Sequence, residues 1–151
     1  MAQDFRRFCQ GVTLGVAIAA FSPSGQGAES LALTAPDAHQ QAQQGAITLI
    51  DIRTPQEWRQ TGVAVGARRI DMRQPGGTEA FAAAVLTAVA GNKDAPIALI
   101  CRTGNRTGYM RRELEARGFT QVYDVKEGMA GSVAGPGWIK RGLPLEACSQ
   151  C

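Results

Sequence analysis

The stretch ALICRTGNRTGYMRR, from Ala98 to Arg112, places a cysteine directly behind an apolar run. That run, residues 95–101, is short and apolar, which is typical of a strand buried on both faces of a sheet. After Cys101 the sequence changes to arginine, threonine, glycine and asparagine, and the spacing that follows predicts a helix over residues 107–118. A thiol is therefore predicted where a buried strand gives way to a loop rich in hydrogen-bond donors.

Strand patterns and helix patterns alternate along the rest of the chain. Three further β-rich runs lie at residues 46–52, 67–71 and 121–125. Three further helical patterns lie at residues 34–45, 55–61 and within 76–92. This order predicts an α/β domain with a parallel sheet and right-handed crossovers. In such sheets ligands bind beyond the carboxyl ends of the strands, which is where Cys101 is placed.

The helix predicted over residues 55–61 carries the clearest end signals. Thr54 and Glu57 have the spacing of a capping box, with Pro55 at the first helical position. Gly62 then suits the end of the helix. The helix is therefore expected to begin directly behind the preceding strand.

Length and composition indicate one globular domain. The chain has 151 residues, of which 44% are hydrophobic and 19% charged, which is enough for one core and too few for two domains. The net charge of +3 includes no run of basic residues, which argues against a nucleic-acid partner. His39 is the only histidine, so we expect a solvated side chain there and no metal-ligand set.

The first residues have the pattern of an export signal. Arg6 and Arg7 precede an apolar stretch at residues 11–21 that is too short to span a bilayer, and small and turn-forming residues follow. We therefore expect residues 1–28 to be a signal peptide that is removed, leaving a periplasmic domain at residues 29–146 without stable membrane insertion. A short packed helix or an uncleaved anchor is the alternative for this segment.

Counting cysteines singles out Cys101. Loss of the signal peptide removes Cys9 and leaves three cysteines, an odd number for an oxidising compartment. Cys148 and Cys151 have C-x-x-C spacing in a tail at residues 147–151, and they could pair with each other. Cys101 would then be free, and such a thiol is either buried and inert or reactive.

The loop behind Cys101 has the features of an anion site. Gly104 allows a tight turn, and a tight loop at a helix N-terminus directs backbone N–H groups into a small cup. Such a cup stabilises a thiolate, and Arg102 and Arg106 add positive charge beside it. The loop therefore predicts a nucleophilic sulfur that attacks an anionic substrate, or one that carries a second, negatively charged sulfur.

Three motifs, in order, resemble those of the rhodanese-like (thiosulfate sulfurtransferase) superfamily. CRTGNRT at residues 101–107 is similar to the active-site loop C-x-x-G-x-R-[ST], and LIDIRTPQEW at residues 49–58 is similar to an upstream strand that ends in Asp-x-Arg. GFTQVYDVKEGM at residues 118–129 is similar to the late strand-and-glycine region. The resemblance covers residues 32–145 and implies a three-layer α/β fold, with a mostly parallel central sheet flanked by helices, in a single-domain exported member.

The resemblance also implies roles for particular residues. Cys101 matches the catalytic cysteine, which takes up a sulfane sulfur as a persulfide. The substrate-binding positions are matched by five residues: the backbone N–H groups at Arg102, Thr103, Gly104 and Asn105 face that sulfur in the family, and Arg106 matches the arginine that closes the loop. Structural support is expected from Asp51, Arg53 and Thr107. For Asp51 and Arg53 an exposed ion pair of little consequence is the open alternative.

The length of the loop separates two chemistries within this fold. Sulfurtransferases of the family have six residues from cysteine to arginine, as this sequence has, whereas the related cell-cycle phosphatases have one more. The resemblance therefore implies sulfur transfer from thiosulfate or a similar donor to cyanide or a thiol, without a metal or other cofactor. Two alternatives stay open: a non-catalytic binding module of the same fold, and a redox or sulfur-relay protein that uses Cys148 and Cys151.

The sequence departs from the family pattern at two places. Val63 stands where relatives commonly have histidine, which predicts a less polar approach to the site on that side. The segment from Gly128 to Trp138 is longer than the usual Gly-Gly-x-x-x-Trp, and Trp138 is expected in the core or at the rim of the pocket.

Overall fold

The computed structural model describes residues 31–151, so the predicted signal peptide lies outside the described residues. The elements follow in the order β1 (Ala32–Leu33), α1 (Ala35–Gln43), β2 (Thr48–Asp51), α2 (Pro55–Thr61), β3 (Val63–Ala64), β4 (Arg68–Arg69), α3 (Gly77–Ala88), β5 (Ile97–Ile100), α4 (Asn105–Glu115), β6 (Val122–Val125), α5 (Gly137–Lys140) and β7 (Leu145–Glu146). Within this range every helix falls short of the length or apolar character that a membrane crossing requires.

The central sheet has five strands in the order β1–β6–β5–β2–β4, and every neighbouring pair is parallel. Asp51 at the end of β2 is in register with Ile100 on β5 and with Arg69 on β4. The carboxyl ends of these three strands therefore lie together at one end of the sheet. This arrangement confirms the predicted α/β class with its parallel sheet.

Apolar layers cover both faces of the sheet, because consecutive strand residues point to opposite sides. On one face Ile100 belongs to a buried cluster with residues of α1, α2 and α5, among them Trp58. On the other face Leu99 belongs to a cluster with residues of α3 and α4, among them Phe81 and Met110. Helices on both sides of one sheet give the expected three layers.

The ends of α1 and α2 follow the predicted signals. Thr34 caps α1, and its side chain accepts a hydrogen bond from the first turn. In α2 the capping box of Thr54 and Glu57 is formed, and the helix has the predicted bounds and ends at Gly62. Local sequence therefore decides where these two helices begin.

The start of α4 differs from the prediction by two residues. The helix begins at Asn105 rather than Thr107, and Gly104 precedes it in the left-handed conformation without any capping side chain. Because no Ser, Thr, Asp or Asn caps this end, no cap signal marks it in the sequence. Arg106 consequently lies in the first turn of a helix.

The C-terminal tail is packed against the domain. β7 pairs with β3 in a separate antiparallel ladder, which two-residue strands give no pattern to predict. Beyond it Cys148 is 8% exposed and forms a disulfide bond with Cys151. The local pairing that the C-x-x-C spacing allowed is thus present.

Trp138 and His39 pack against each other between α5 and α1. Trp138 is fully buried, as expected of a core residue, and its Nε1–H donates to the carbonyl oxygen of Pro144 at 2.9 Å. His39 is half-buried, with its ring edge-on to Trp138 at a centroid distance of 5.3 Å. The prediction of a solvated His39 was therefore wrong, because α1 turns this side chain toward α5.

Candidate active site

Cys101 lies at the carboxyl end of the central strand. The N–H of Ile52 donates to the carbonyl oxygen of Ile100 at 2.9 Å, so hydrogen bonds hold the chain up to the residue before Cys101. The Cys101 side chain is fully buried, and it is the one free cysteine of residues 31–151. The position combines a rigid support with a thiol shielded from bulk water.

Gly104 makes the turn behind the cysteine. Its φ is +79°, a value that side chains rarely allow, and an added Cβ would lie 2.0 Å from the carbonyl oxygen of Lys126. Both conditions require glycine, as the sequence predicts for the positive φ. The turn brings the loop against the end of β6 and starts α4 immediately.

The backbone N–H groups of the loop have no acceptor in the described part of the chain. The N–H groups of Arg102, Thr103 and Gly104 donate to no group of residues 31–151. Those of Asn105 and Arg106 belong to the first turn of α4, where a helix offers no internal partner. Unpaired donors at the positive end of a helix dipole favour an anion at this place.

The carbonyl groups beside the sulfur are bonded to a neighbouring segment. The N–H of Met129 donates to the carbonyl of Cys101 at 2.9 Å, and the N–H of Ala130 donates to that of Arg102 at 2.8 Å. Gly128, with φ +65°, permits this approach because a Cβ there would lie 2.6 Å from the Arg102 carbonyl oxygen. The late glycine motif therefore forms one rim of the loop.

Arg106 forms a bidentate ion pair with Glu57 of α2. Its Nη1 lies 2.8 Å from Oε2 and its Nη2 lies 2.5 Å from Oε1. The Arg106 guanidinium lowers the pKa of Glu57 to about 2, despite the opposing effect of burial. Glu57 in turn raises the pKa of Arg106, with smaller contributions from the nearby Cys101 sulfur. The pair joins α2 to the loop and keeps a cation close to the thiol.

Asp51 and Arg53 form a second ion pair, at the end of β2. Arg53 is 1% exposed and Asp51 fully buried, and their Nη2 and Oδ2 atoms are 2.7 Å apart. Arg53 also donates to the Thr61 hydroxyl at 2.7 Å and to the Gly62 carbonyl at 2.8 Å. The alternative of an exposed pair was wrong. The ion pair ties the end of β2 to the end of α2.

Thr107 lies beneath the loop and is fully buried. Its hydroxyl donates to the Gly104 carbonyl at 2.7 Å and also contacts the carboxyl group of Asp124. Burial raises the pKa of Asp124, although the Thr107 hydroxyl and nearby cations oppose the shift. The Thr107 hydroxyl therefore lies between two acceptors, the Gly104 carbonyl and the Asp124 carboxyl group. Thr107 thus holds the carbonyl of the turn from below.

A cavity of about 160 Å³ lies beside the loop, and the exposed Arg102 is the loop residue that lines it. The other lining residues come from the upstream signature, α2, the glycine rim and α5: Arg53, Glu57, Gln60, Thr61, Met129, Ala130 and Ile139. Val63 is fully buried in β3 and is not among them. The prediction that Val63 makes the approach less polar was therefore wrong.

Sequence reasoning missed Glu57 as a site residue, because the capping box already accounted for its carboxylate. Its partner Arg106 is 49 positions away. The available signal was spatial, since Glu57 lies in the first helical turn behind β2, and β2 is the neighbour of the strand that carries Cys101. No comparable signal marked Gln60 or Ile139.

The fold and the loop define an α/β domain with a cysteine site at the carboxyl end of its central parallel strand. The family described as "Rhodanese-like domain" matches residues 34–134. The chain therefore belongs to the rhodanese-like family, which confirms the resemblance seen in the sequence.

Solved structures share this fold. A rhodanese-like domain from Anabaena is 20% identical, with a TM-score of 0.61 over 80% of this chain and 82% of that chain, and it supports the fold alone. The polysulfide-sulfur transferase homodimer of Wolinella succinogenes is 25% identical, with a TM-score of 0.58 over 80% of this chain and 81% of that one. A protein of M. tuberculosis is 26% identical, with a TM-score of 0.56 over 78% of this chain and 97% of that one. No curated protein matches the chain.

Proposed function

We propose that the protein is a sulfurtransferase that moves a sulfane sulfur from thiosulfate, or a similar anionic donor, to cyanide or a thiol. The observation that carries the proposal is the set of unpaired backbone N–H groups in the loop behind the free, buried Cys101. The similar Wolinella protein is a polysulfide-sulfur transferase, which supports the same class of reaction here.

The reaction has two steps through Cys101. In the first, the thiolate attacks the outer sulfur of thiosulfate, an S–S bond forms, the bond to the sulfite group breaks, and sulfite leaves with its electron pair. In the second, cyanide or a thiolate attacks the outer sulfur of the persulfide, and the Cys101 thiolate is the leaving group. Neither step needs an electron acceptor, so the proposal includes no redox cofactor.

The loop stabilises negative charge on sulfur at both stages. In this proposal the unpaired N–H groups stabilise the charge that develops on the outer sulfur, and the fixed backbone costs no reorganisation during the reaction. Arg102 is exposed at the cavity and attracts the anionic donor. Arg106 is bound to Glu57 and acts as a fixed cation near the sulfur rather than as a mobile substrate ligand.

Formation of thiocyanate from thiosulfate and cyanide tests this proposal. We expect activity in the purified protein and a loss of at least about a thousandfold in Cys101→Ser, because the nucleophile is removed. The double variant Cys148→Ser/Cys151→Ser is the matched control, and it should keep the activity. Mass spectrometry after thiosulfate treatment should show one added sulfur on Cys101.

Activity equal in the wild type and Cys101→Ser, with no added sulfur on Cys101, would contradict the proposal and favour a non-catalytic binding module.

Export through residues 1–28 stays a prediction. N-terminal sequencing of the protein recovered from the periplasm would test it.

A further inference from the structure

A second sulfur site lies at the edge of the sheet, in the C-terminal tail. Cys148 and Cys151 form a disulfide bond, and the N–H of Cys151 donates to the Cys148 carbonyl at 3.4 Å. Cys148 is 8% exposed and belongs to the buried apolar cluster that contains Ile100. Cys151 is half-buried and packs against the border of that cluster. The Cys151 sulfur belongs to the more accessible residue of the two.

Arg69 of the edge strand β4 is directed at this pair. Its Nη1 lies 2.7 Å from the Cys151 sulfur and also contacts the Cys148 sulfur. Arg69 itself is exposed, and within residues 31–151 it has no salt bridge to a carboxylate. Its positive charge is therefore not compensated by a side chain of the described domain.

A guanidinium discriminates between the two redox forms of a cysteine pair. Disulfide sulfur is neutral and accepts hydrogen bonds weakly, whereas a thiolate is an anion that a neighbouring arginine stabilises. Arg69 therefore stabilises the reduced form more than the oxidised one, which makes the disulfide easier to reduce.

A cavity adjoins the pair through the same arginine. It has a volume of about 430 Å³, includes no residue of the Cys101 loop, and is lined by Ala67, Arg68, Arg69, Ile70, Ala84, Thr87, Ala88 and Glu146. Arg69 thus contacts both sulfurs and also forms part of a cavity wall. The cavity offers space for a second molecule next to the disulfide.

We propose that Cys148 and Cys151 are a second, redox-active site that exchanges with a dithiol and that Arg69 serves as its positioning and charge-stabilising residue. A thiolate of the dithiol attacks the Cys151 sulfur, a mixed disulfide forms, and Cys148 leaves as a thiolate beside Arg69. The second thiolate of the reductant then attacks the reductant's other sulfur, which is bonded to Cys151 in the mixed disulfide, and Cys151 leaves as a thiolate. Two electrons pass to the pair, and the reductant becomes a disulfide.

This site works without direct transfer from Cys101. Arg69 lies on β4, in register with Asp51 on β2, and β2 separates it from the strand that ends at Cys101. Two strand spacings, about 10 Å, therefore separate the backbone of Arg69 from that of Ile100, and no step of the proposed exchange involves Cys101. The proposal is therefore independent of the proposed sulfur transfer.

The test measures the redox equilibrium of the pair in buffers of reduced and oxidised dithiothreitol. After alkylation, trypsin cleavage behind Arg141 gives the peptide GLPLEACSQC, which contains both cysteines, so mass spectrometry counts their free thiols directly. Arg69→Gln removes the charge at the sulfurs. Arg68→Gln is the matched control, because it is the neighbouring exposed arginine of the same strand and makes no side-chain hydrogen bond to either sulfur.

We expect Arg69→Gln to shift the equilibrium toward the disulfide by roughly tenfold and Arg68→Gln to leave it within about twofold. A shift of Arg69→Gln toward the reduced form would overturn the proposal, because it would mean that Arg69 merely packs against the disulfide. Equal shifts in both variants, or a pair that stays oxidised at every buffer ratio, would also overturn it. Thiocyanate formation in these variants reports on Cys101 separately, so failure of one proposal does not hide failure of the other.

Discussion

The two cysteine sites place arginine differently with respect to sulfur. At the loop, Arg106 is occupied by Glu57 on both outer nitrogens, and the donors free to bind an anion are backbone N–H groups. At the tail, a single exposed side chain, Arg69, contacts both sulfurs. A rigid main-chain site fits one charged atom in one fixed position. A flexible side chain can instead adjust to a cysteine pair that becomes negatively charged only when its disulfide is reduced. In the proposed chemistry the two sites thus stabilise sulfur anions in two separate ways.

Breaking the buried ion pair at the end of β2, on the side of the Cys101 loop, should cause the largest change of those predicted here. In Asp51→Asn the Arg53 guanidinium stays buried without its carboxylate, which should lower the free energy of unfolding by about 4 kcal/mol. Urea unfolding measures the loss. The control Glu79→Gln breaks the ion pair with Arg117, in which Glu79 is 80% exposed, and should leave the free energy of unfolding almost unchanged. Equal losses would mean that burial of the first pair is unimportant.

A methyl group at the turn should have the next largest effect. Gly104→Ala combines a strained positive φ with a clash against the Lys126 carbonyl, so we expect a loss of about 3 kcal/mol and little thiocyanate formation. Gly142→Ala is the control on the tail side, because its φ is +66° and its Cβ position is open. It should cost about 1 kcal/mol and keep the activity. The backbone nature of the loop site would be in doubt if both variants remained active.

The proposed steering role of Arg102 predicts a smaller, kinetic effect. Arg102→Gln should lower kcat/KM for thiosulfate by roughly tenfold, mainly through KM, and weaken its dependence on salt. Arg112→Gln removes the same charge from an exposed position in the last turn of α4 and should change neither value. The tail redox equilibrium should be unaffected in both. Identical kinetics of the two variants would remove Arg102 from the site.

The smallest effect should be on acid stability. The pKa of Glu57 is lowered from its ordinary value of 4.5 to about 2 by Arg106, so its stabilising effect is complete above pH 4.5 and is lost as the pH falls toward 2. Glu57→Gln should remove this part of the acid loss, about 1 kcal/mol, when thermal unfolding is followed between pH 5 and about 2.5. Glu115→Gln, from the ion pair with Arg111, is the control. An unchanged pH profile in Glu57→Gln would contradict the assignment.

Features set by local sequence could be predicted. The buried strands, the capping box of α2 and the glycine turn at Gly104 all follow from the backbone preferences of a few neighbouring residues. The placement of Cys101 at the end of a central strand follows from the α/β alternation. These are the parts for which sequence neighbours are also spatial neighbours.

Features that join distant segments could not be predicted in the same way. Glu57 and Arg106 meet across 49 positions, and Arg69 meets the tail cysteines across 79 and 82 positions. Glu127 is buried and accepts hydrogen bonds from the N–H groups of Ala35 and Gly137, which are 92 and 10 positions away. Each of these contacts depends on how the layers pack, and no local pattern encodes that.

The complete burial of Cys101 has a consequence for the regiochemistry of a persulfide at this position. The outer sulfur would extend about 2 Å beyond the protein-bound one, toward the loop opening. A nucleophile arriving from solvent would meet that terminal atom first. Attack on the inner atom would release the outer sulfur as hydrosulfide and leave an unproductive mixed disulfide, and burial would block that attack sterically. Depth alone would then direct productive turnover.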